Sequence, residues 1–194
     1  MRIAIVGTAG RKTDGNRLTP DHLDFMLEEA GKEIVAAGNV PITLVSGGAA
    51  WADHVAVDIA LTHPDRLEFP LELHLPCRWD AYMRRFHDDG SRDWRRNPGG
   101  TSNYYHRLFA MRRGLDAYAT LIELDMAIRR GAVVKIGSGF HDRNSGVAKV
   151  DRLIAFTFAD NGRPPNDSGT ADTWRKAEAA SVRCVHVSLA AVSR

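Results

Sequence analysis

Apolar residues fall along this chain in short β-branched runs closed by glycine, each followed by a stretch with helical spacing. Arg2-Ile3-Ala4-Ile5-Val6 runs straight into Gly7-Thr8-Ala9-Gly10, the pattern of a buried parallel strand entering a loop, and its position suits a central strand. Thr19-Pro20-Asp21 offers a helix start with proline at the first helical position, and Leu23, Met26, Leu27, Ile34 and Val35 supply one apolar face that ends near Gly38. A second unit repeats this order: a strand over 42–45, a tight turn at Ser46-Gly47-Gly48, and a helix over 52–61 with Val55 and Ile59 one turn apart.

Residues 71–75 alternate apolar and polar before Pro76, which predicts a third strand with a more exposed face or an edge position. Two further strands are expected over 153–158 and 183–187, with a helix over 171–180 between them. Strands alternating with helices across glycine turns predict an α/β fold, a three-layer parallel sheet of about five strands that binds ligands at its carboxyl ends. Residues 104–130 look helical, whereas 88–102 are polar, arginine-rich and turn-forming. The reading is therefore one domain over 1–194, with an arginine- and aromatic-rich helical insertion at 78–140 lying over the ligand edge of the sheet.

Composition narrows the class. A chain of 194 residues can bury one sizeable core, and 44% hydrophobic with 26% charged residues excludes a disordered or fibrous protein. No apolar run approaches the roughly 20 residues of a membrane helix, so no membrane partner is expected. Cys77 and Cys184 are far apart and no leader-like segment precedes the first strand, so no disulfide and a cytoplasmic setting are expected. The net charge of +2 is uninformative as a total but unevenly distributed. Nine arginines, no lysines and four aspartates give residues 78–114 a charge of +5, leaving −3 elsewhere. Trp79, Tyr82, Phe86, Trp94, Tyr104, Tyr105 and Phe109 are interleaved with those arginines. Arginine suits bidentate phosphate contacts and aromatic rings stack on bases. The same composition suits a lid over a mononucleotide or a wet subunit interface, and the helical spacing of Tyr105 and Phe109 points to the core.

Three strand-end turns carry the candidate chemistry. In Ser46-Gly47-Gly48-Ala49-Ala50-Trp51-Ala52-Asp53 the paired glycines remove the Cβ atoms that keep a phosphate from the backbone, and a following helix would present unpaired N–H groups. A tight turn that binds nothing, with Asp53 complementing a helix dipole, is the plain alternative. In Asp167-Ser168-Gly169-Thr170-Ala171-Asp172-Thr173-Trp174 the hydroxyls of Ser168 and Thr170 serve either as helix caps or as phosphate and ribose contacts. Gly7 and Thr8 begin the third turn, and sheet geometry puts all three on one side. None is a Walker A loop or a complete G-x-G-x-x-G fingerprint. His141-Asp142-Arg143-Asn144 joins an imidazole, a carboxylate and a fixed cation, read either as phosphate recognition or as a polar helix start capped by Asn144. Ser46 lacks the G-x-S-x-G setting of a nucleophile. His87, Asp88 and Asp89 are neighbours in a loop and do not converge on one ion, and no zinc-type spacing occurs, so no metal and no cofactor are expected.

The segments RIAIVGTAGR, LVSGGAAWADHVAV, HDRN and LIAFTF followed by SGTADTW, in that order, resemble the SLOG superfamily of Rossmann-like nucleotide-binding proteins, most nearly its YpsA-related branch. The likeness covers 1–80 and 141–190 and omits the insertion. It implies a ligand containing nucleotide, ribose or phosphate, held by Gly47, Gly48, Asp53, Gly169 and Thr170, with Arg143 and Asn144 matching an Arg-Asn pair of that branch. In the superfamily's "lonely guy" phosphoribohydrolases a P-G-G-x-G-T-x-x-E motif carries a catalytic glutamate. Here Thr173 stands in its place. Asp53 and Asp172 are the remaining carboxylates for N-glycosidic cleavage of a nucleoside monophosphate, which needs an acid to support an oxocarbenium-like centre or orient water. Adjacent helical residues point about 100° apart, so Asp172 need not face where Thr173 does. The expected function is binding of a nucleotide-like small molecule, with N-glycosidic hydrolysis as the candidate activity and a homodimer as the candidate assembly. The alternatives are single-stranded nucleic-acid binding, since the superfamily includes DNA-processing proteins, or a catalytically silent nucleotide sensor.

Overall fold

The computed structural model describes residues 1–166 and 168–192. Six strands form one all-parallel sheet in the order β6-β3-β2-β1-β7-β8. They are β1 (Arg2–Gly7), β2 (Thr43–Ser46), β3 (Leu71–Leu75), β6 (Val133–Ile136), β7 (Arg152–Thr157) and β8 (Arg183–Ser188). Two-residue strands β4 (Trp79–Asp80) and β5 (Arg85–Phe86) pair separately as an antiparallel ribbon. The helices are α1 (Asp14–Arg17), α2 (Pro20–Val35), α3 (Val55–Ala60), α4 (Pro98–Arg112), α5 (Ala119–Arg129), α6 (Phe140–Val147) and α7 (Gly169–Ala179).

The central strands are apolar throughout because both faces of the sheet are covered. In β1, Ile3 and Ile5 enter the larger core beneath α2 and α3, while Ala4 and Val6 enter a smaller core with Val147 of α6 and Trp174 and Ala177 of α7. β7 does the same, with Ile154 and Phe156 on one face and Leu153 and Ala155 on the other. Three layers result.

The chain adds β2, β3 and β6 outward on one side of β1, then returns to lay β7 and β8 on the other. That reversal beside β1 is where loops diverge and leave a crevice at the carboxyl ends of the strands. The sixth strand, β6, lies inside the stretch read as insertion and pairs with β3 from Glu72↔Val133 to Leu75↔Ile136. β3 is consequently an interior strand and not an edge. β6 was hard to read because it is itself the edge: Val133, Lys135 and Ile136 are exposed, so its four residues show neither alternation nor a buried run. The continuous helix expected over 104–130 is two helices separated at Gly114, where φ is +70°. No helix among the described residues is long and apolar enough to cross a membrane.

Candidate functional site

The three turns converge. With the start of α6 and two turns of α4, they line one cavity of about 350 Å³ at the carboxyl end of the sheet. Close backbone approach builds its floor. A side chain at Gly7 would strike the Phe156 carbonyl and come within 2.6 Å of Ala52 Cβ, so only glycine lets β1 end flush against β7 and the β2 loop. The Thr8 N–H donates to that same carbonyl at 2.9 Å. The Thr8 hydroxyl donates to Asp14 Oδ2 (2.7 Å) and accepts from the Gly10 N–H (3.2 Å), which curls the loop around the opening.

The Ser46-Gly47-Gly48 turn braces the wall from behind. Ser46 is fully buried; its hydroxyl donates to the Asp53 carbonyl (2.7 Å) and accepts from the Gly48 N–H (3.0 Å). A Cβ on Gly47 would sit 2.5 Å from Asp53 Oδ2 and 3.1 Å from Arg143 Cζ, so this glycine makes room for that pair. Gly48 has φ +63°, and a Cβ there would lie 2.6 Å from Leu75 Cδ2. Ala49 and Ala50 line the cavity; Ser46, Gly47 and Gly48 do not. Both glycines therefore meet demands of packing within the wall. Nor does a long helix follow: Trp51–His54 form a single 3₁₀ turn leading into the six residues of α3.

The helix that does aim its N-terminus at the cavity is α7. Ser168, Gly169 and Thr170 line the wall there. Ser168 takes the capping role, accepting from the Ala171 N–H (3.0 Å) and donating to the Pro165 carbonyl (2.9 Å). The Thr170 hydroxyl donates to the Gly7 carbonyl (2.8 Å) and so ties two of the three turns together. Asp167 lies outside the described residues.

Inside this frame Asp53 and Arg143 face each other, both on the cavity wall, with Nη1 to Oδ2 at 4.0 Å. Burial pushes the Asp53 carboxyl above the usual range, against the opposing pull of Arg143 and of the Gly7, Ala49 and Gly47 N–H groups. Burial likewise lowers the Arg143 guanidinium, Asp53 opposes that, and the charge of Arg11 adds to it. Arg143 is held in place: Nε and Nη2 donate to Asn144 Oδ1 (3.1 and 2.8 Å), and Nη1 donates to the Gly47 carbonyl (3.4 Å). Asn144 is not a helix cap, since α6 begins at Phe140 behind Gly139. It sits one turn inside, with Nδ2 donating to the Gly169 carbonyl (3.2 Å) and to Asp172 Oδ2 (3.0 Å).

Asp172 is absent from the cavity wall, where Thr173 stands instead. Its Oδ2 accepts from Lys176 Nζ (2.8 Å) and lies 3.2 Å from His141 Nδ1. Burial works against its charge, yet the hydrogen bonds from Lys176 and Asn144 prevail and hold its pKa below the usual range. The two candidate acids are therefore placed apart: Asp53, with Asp14, lines the cavity, whereas Asp172 joins α6 to α7.

Two cations on the wall escaped the sequence reading as site residues, Arg11 and Lys12. The Arg11 guanidinium lies 5.1, 5.5 and 5.9 Å from the ring centroids of Phe140, Tyr105 and Trp94. The signal available was its place closing the first glycine turn, but the rings around it come from three separate segments. Tyr105, read as core, lines the cavity, whereas Phe109 is fully buried. Away from this wall, His54, Asp58 and Glu123 bring ligand-type atoms within 4.8 Å of one another. Arg113 and His54 both engage Glu123 Oε2, at 3.0 and 2.9 Å, whereas His54 Nδ1 and Asp58 Oδ2 are buried without a hydrogen-bond partner among the described residues.

An uncharacterised protein of Acanthamoeba polyphaga mimivirus is 32% identical over 181 residues, a span covering 91% of this chain and 90% of the viral one. This chain belongs to the family of that viral protein. No family model and no solved structure matches the chain.

Proposed function

We propose that the protein binds a phosphate-bearing, nucleotide-like small molecule in the cavity at the carboxyl end of the sheet. The observation that carries this reading is the convergence of Arg11, Lys12 and Arg143 with the first turn of α7 on a single cavity. Cations and the start of a helix on one concave space favour an anion there, and a dianionic phosphate suits both. Asp53, on the same wall, is an acceptor suited to a ribose hydroxyl, as acidic residues are in nucleotide sites of this architecture. The Tyr105 and Phe140 rings supply apolar surface for a base.

N-glycosidic hydrolysis is a second reading that Asp53 favours, because a buried carboxylate with a raised pKa on the cavity wall is suited to proton transfer. Titration calorimetry with the four nucleoside monophosphates tests binding, with one-to-one saturation expected for at least one of them and no heat for the parent nucleosides at the same concentrations. Chromatography of the same mixtures for free base tests hydrolysis. Release that persists in Asp53→Asn would remove Asp53 from that role.

A further inference from the structure

Arg11, Lys12, Thr101 and Tyr105 form the wall between the first cavity and a second, more open one of about 550 Å³. Apart from Arg11 and Lys12, the second cavity is built by residues 88–105, which lie outside the resemblance. Trp94 and Tyr104 join Tyr105 in it, giving three aromatic side chains, and Arg92 lies among them. Its loop is braced from within: Asn97 Nδ2 donates to Asp88 Oδ1 (2.6 Å) and to the Ser91 carbonyl (2.9 Å), and the Gly90 N–H donates to the same Asp88 oxygen (2.8 Å). The loop therefore holds its shape without an occupant. Trp94 and Tyr104 are each about half exposed, at 45% and 49%; the Arg11 and Arg95 guanidinium groups lie 5.9 and 4.6 Å from the Trp94 centroid and that of Arg107 lies 5.9 Å from the Tyr104 centroid, so cations and ring surface alternate along this cavity.

We infer that the ligand continues past Arg11 and Lys12 into this second cavity, so that its phosphate sits at the shared wall with one ring-bearing end in each space. The chemical class is two nucleosides joined through phosphate. This rests on the binding reading above and narrows it. The cations stand at the junction, where a bridging phosphate would lie, and the aromatic side chains stand beyond it, where a second base would stack. A mononucleotide fills the first cavity alone and does not reach Trp94 and Tyr104, which line the second.

Calorimetry on the full chain with three probes tests this. They are adenosine 5′-monophosphate, a 5′,5′-diphosphate-linked diadenosine, and the 3′,5′-linked dinucleotide pApA. At least one dinucleotide is expected to bind ten-fold or more tightly than the monophosphate. Tyr104→Ala and Trp94→Ala are each expected to reduce dinucleotide affinity about 5- to 150-fold, the range for loss of one base–aromatic stack, and to reduce monophosphate affinity much less. Both positions are exposed enough that the variants retain the fold, which a thermal melt verifies. Preference for the 5′,5′ linkage identifies a free dinucleotide, and preference for the 3′,5′ linkage identifies the end of a single strand; either supports the shared chemistry. Equal affinity for the monophosphate and both dinucleotides, or an equal loss for all three in the variants, overturns the extension while leaving mononucleotide binding intact. Absence of binding by every probe overturns the underlying reading as well.

Discussion

Replacing Arg143 by glutamine separates its support of a buried carboxylate from the anion recognition proposed for it. The side chain is 12% exposed and stands 4.0 Å from Asp53. At that distance the gross attraction is about 4 kcal/mol for an effective dielectric near 20, and desolvation of both ions offsets much of it. Removing one partner is worse than removing both, because the survivor is left buried and uncompensated, at a cost of about 3–5 kcal/mol. Asp53 has a partial escape: burial already favours its neutral form, and it takes up a proton once the cation is gone. We therefore expect about 3 kcal/mol for Arg143→Gln, at the low end of that range. In a chain of this length the loss lowers Tm by roughly 6–12 °C. The double variant Arg143→Gln/Asp53→Asn should recover most of this, since no unpaired charge remains. Binding behaves differently. A charge-assisted hydrogen bond to a phosphate contributes about 1.5–3 kcal/mol, so both variants should bind a nucleoside monophosphate about 10- to 150-fold more weakly, with no recovery in the double. Denaturant melts and calorimetry on the three proteins read the two effects. Wild-type affinity in Arg143→Gln, or a double variant less stable than the single, refutes the reasoning.

Other expectations follow from the same contacts. Gly48→Val places a β-branched residue at φ +63° against Leu75, which costs about 1–2 kcal/mol for the backbone and about 1–3 kcal/mol for overpacking. A native-like Tm with binding lost would return that glycine to the ligand. His106, fully buried with Nε2 donating to the Gly48 carbonyl (3.0 Å), has its pKa lowered by burial to about 3. Since that lies below the ordinary 6.5, the unfolded chain binds the extra proton. The contribution is complete above about pH 6.5 and is lost as pH falls toward 3, by up to about 1.4 kcal/mol per unit. His74 and His186 shift in the same direction, so the difference in urea-unfolding slope between wild type and His106→Gln over pH 4–6 isolates His106; identical slopes would contradict the assignment. Asp172→Asn should leave nucleotide affinity within about two-fold, because its carboxylate points at Lys176 and Asn144 and not into the cavity. A ten-fold loss by calorimetry would put Asp172 back in the site.

Much of this fold was legible because the central strands obey local rules. β1 and β7 are buried on both faces and read as apolar runs, and Gly7 and Gly48 mark real turns. β6 was missed for a physical reason: an exposed four-residue edge strand has no pattern to read, and Gly131 and Gly137 on either side were its only punctuation. The site was legible in position more than in role. Gly47 makes room for Asp53 and Arg143, which the sequence could not show, because paired glycines in a turn report close approach without saying what approaches. Asp172 and Thr173 could be told apart by the 100° between adjacent helical residues, and the structure separates them that way. Arg11 could not be found, since its aromatic surroundings come from α4, α6 and the loop before α4 and meet only in the folded chain.

Two-dimensional amide NMR during titration with a nucleoside monophosphate shows whether one cavity gathers the three strand-end turns around a phosphate. Saturable shifts are expected at Thr8 to Lys12, Ala49 and Ala50, and Gly169 and Thr170, with the Arg143 Nε–H signal moving alongside them. Shifts confined to other surfaces, or a spectrum unchanged at millimolar nucleotide, would contradict the proposed site.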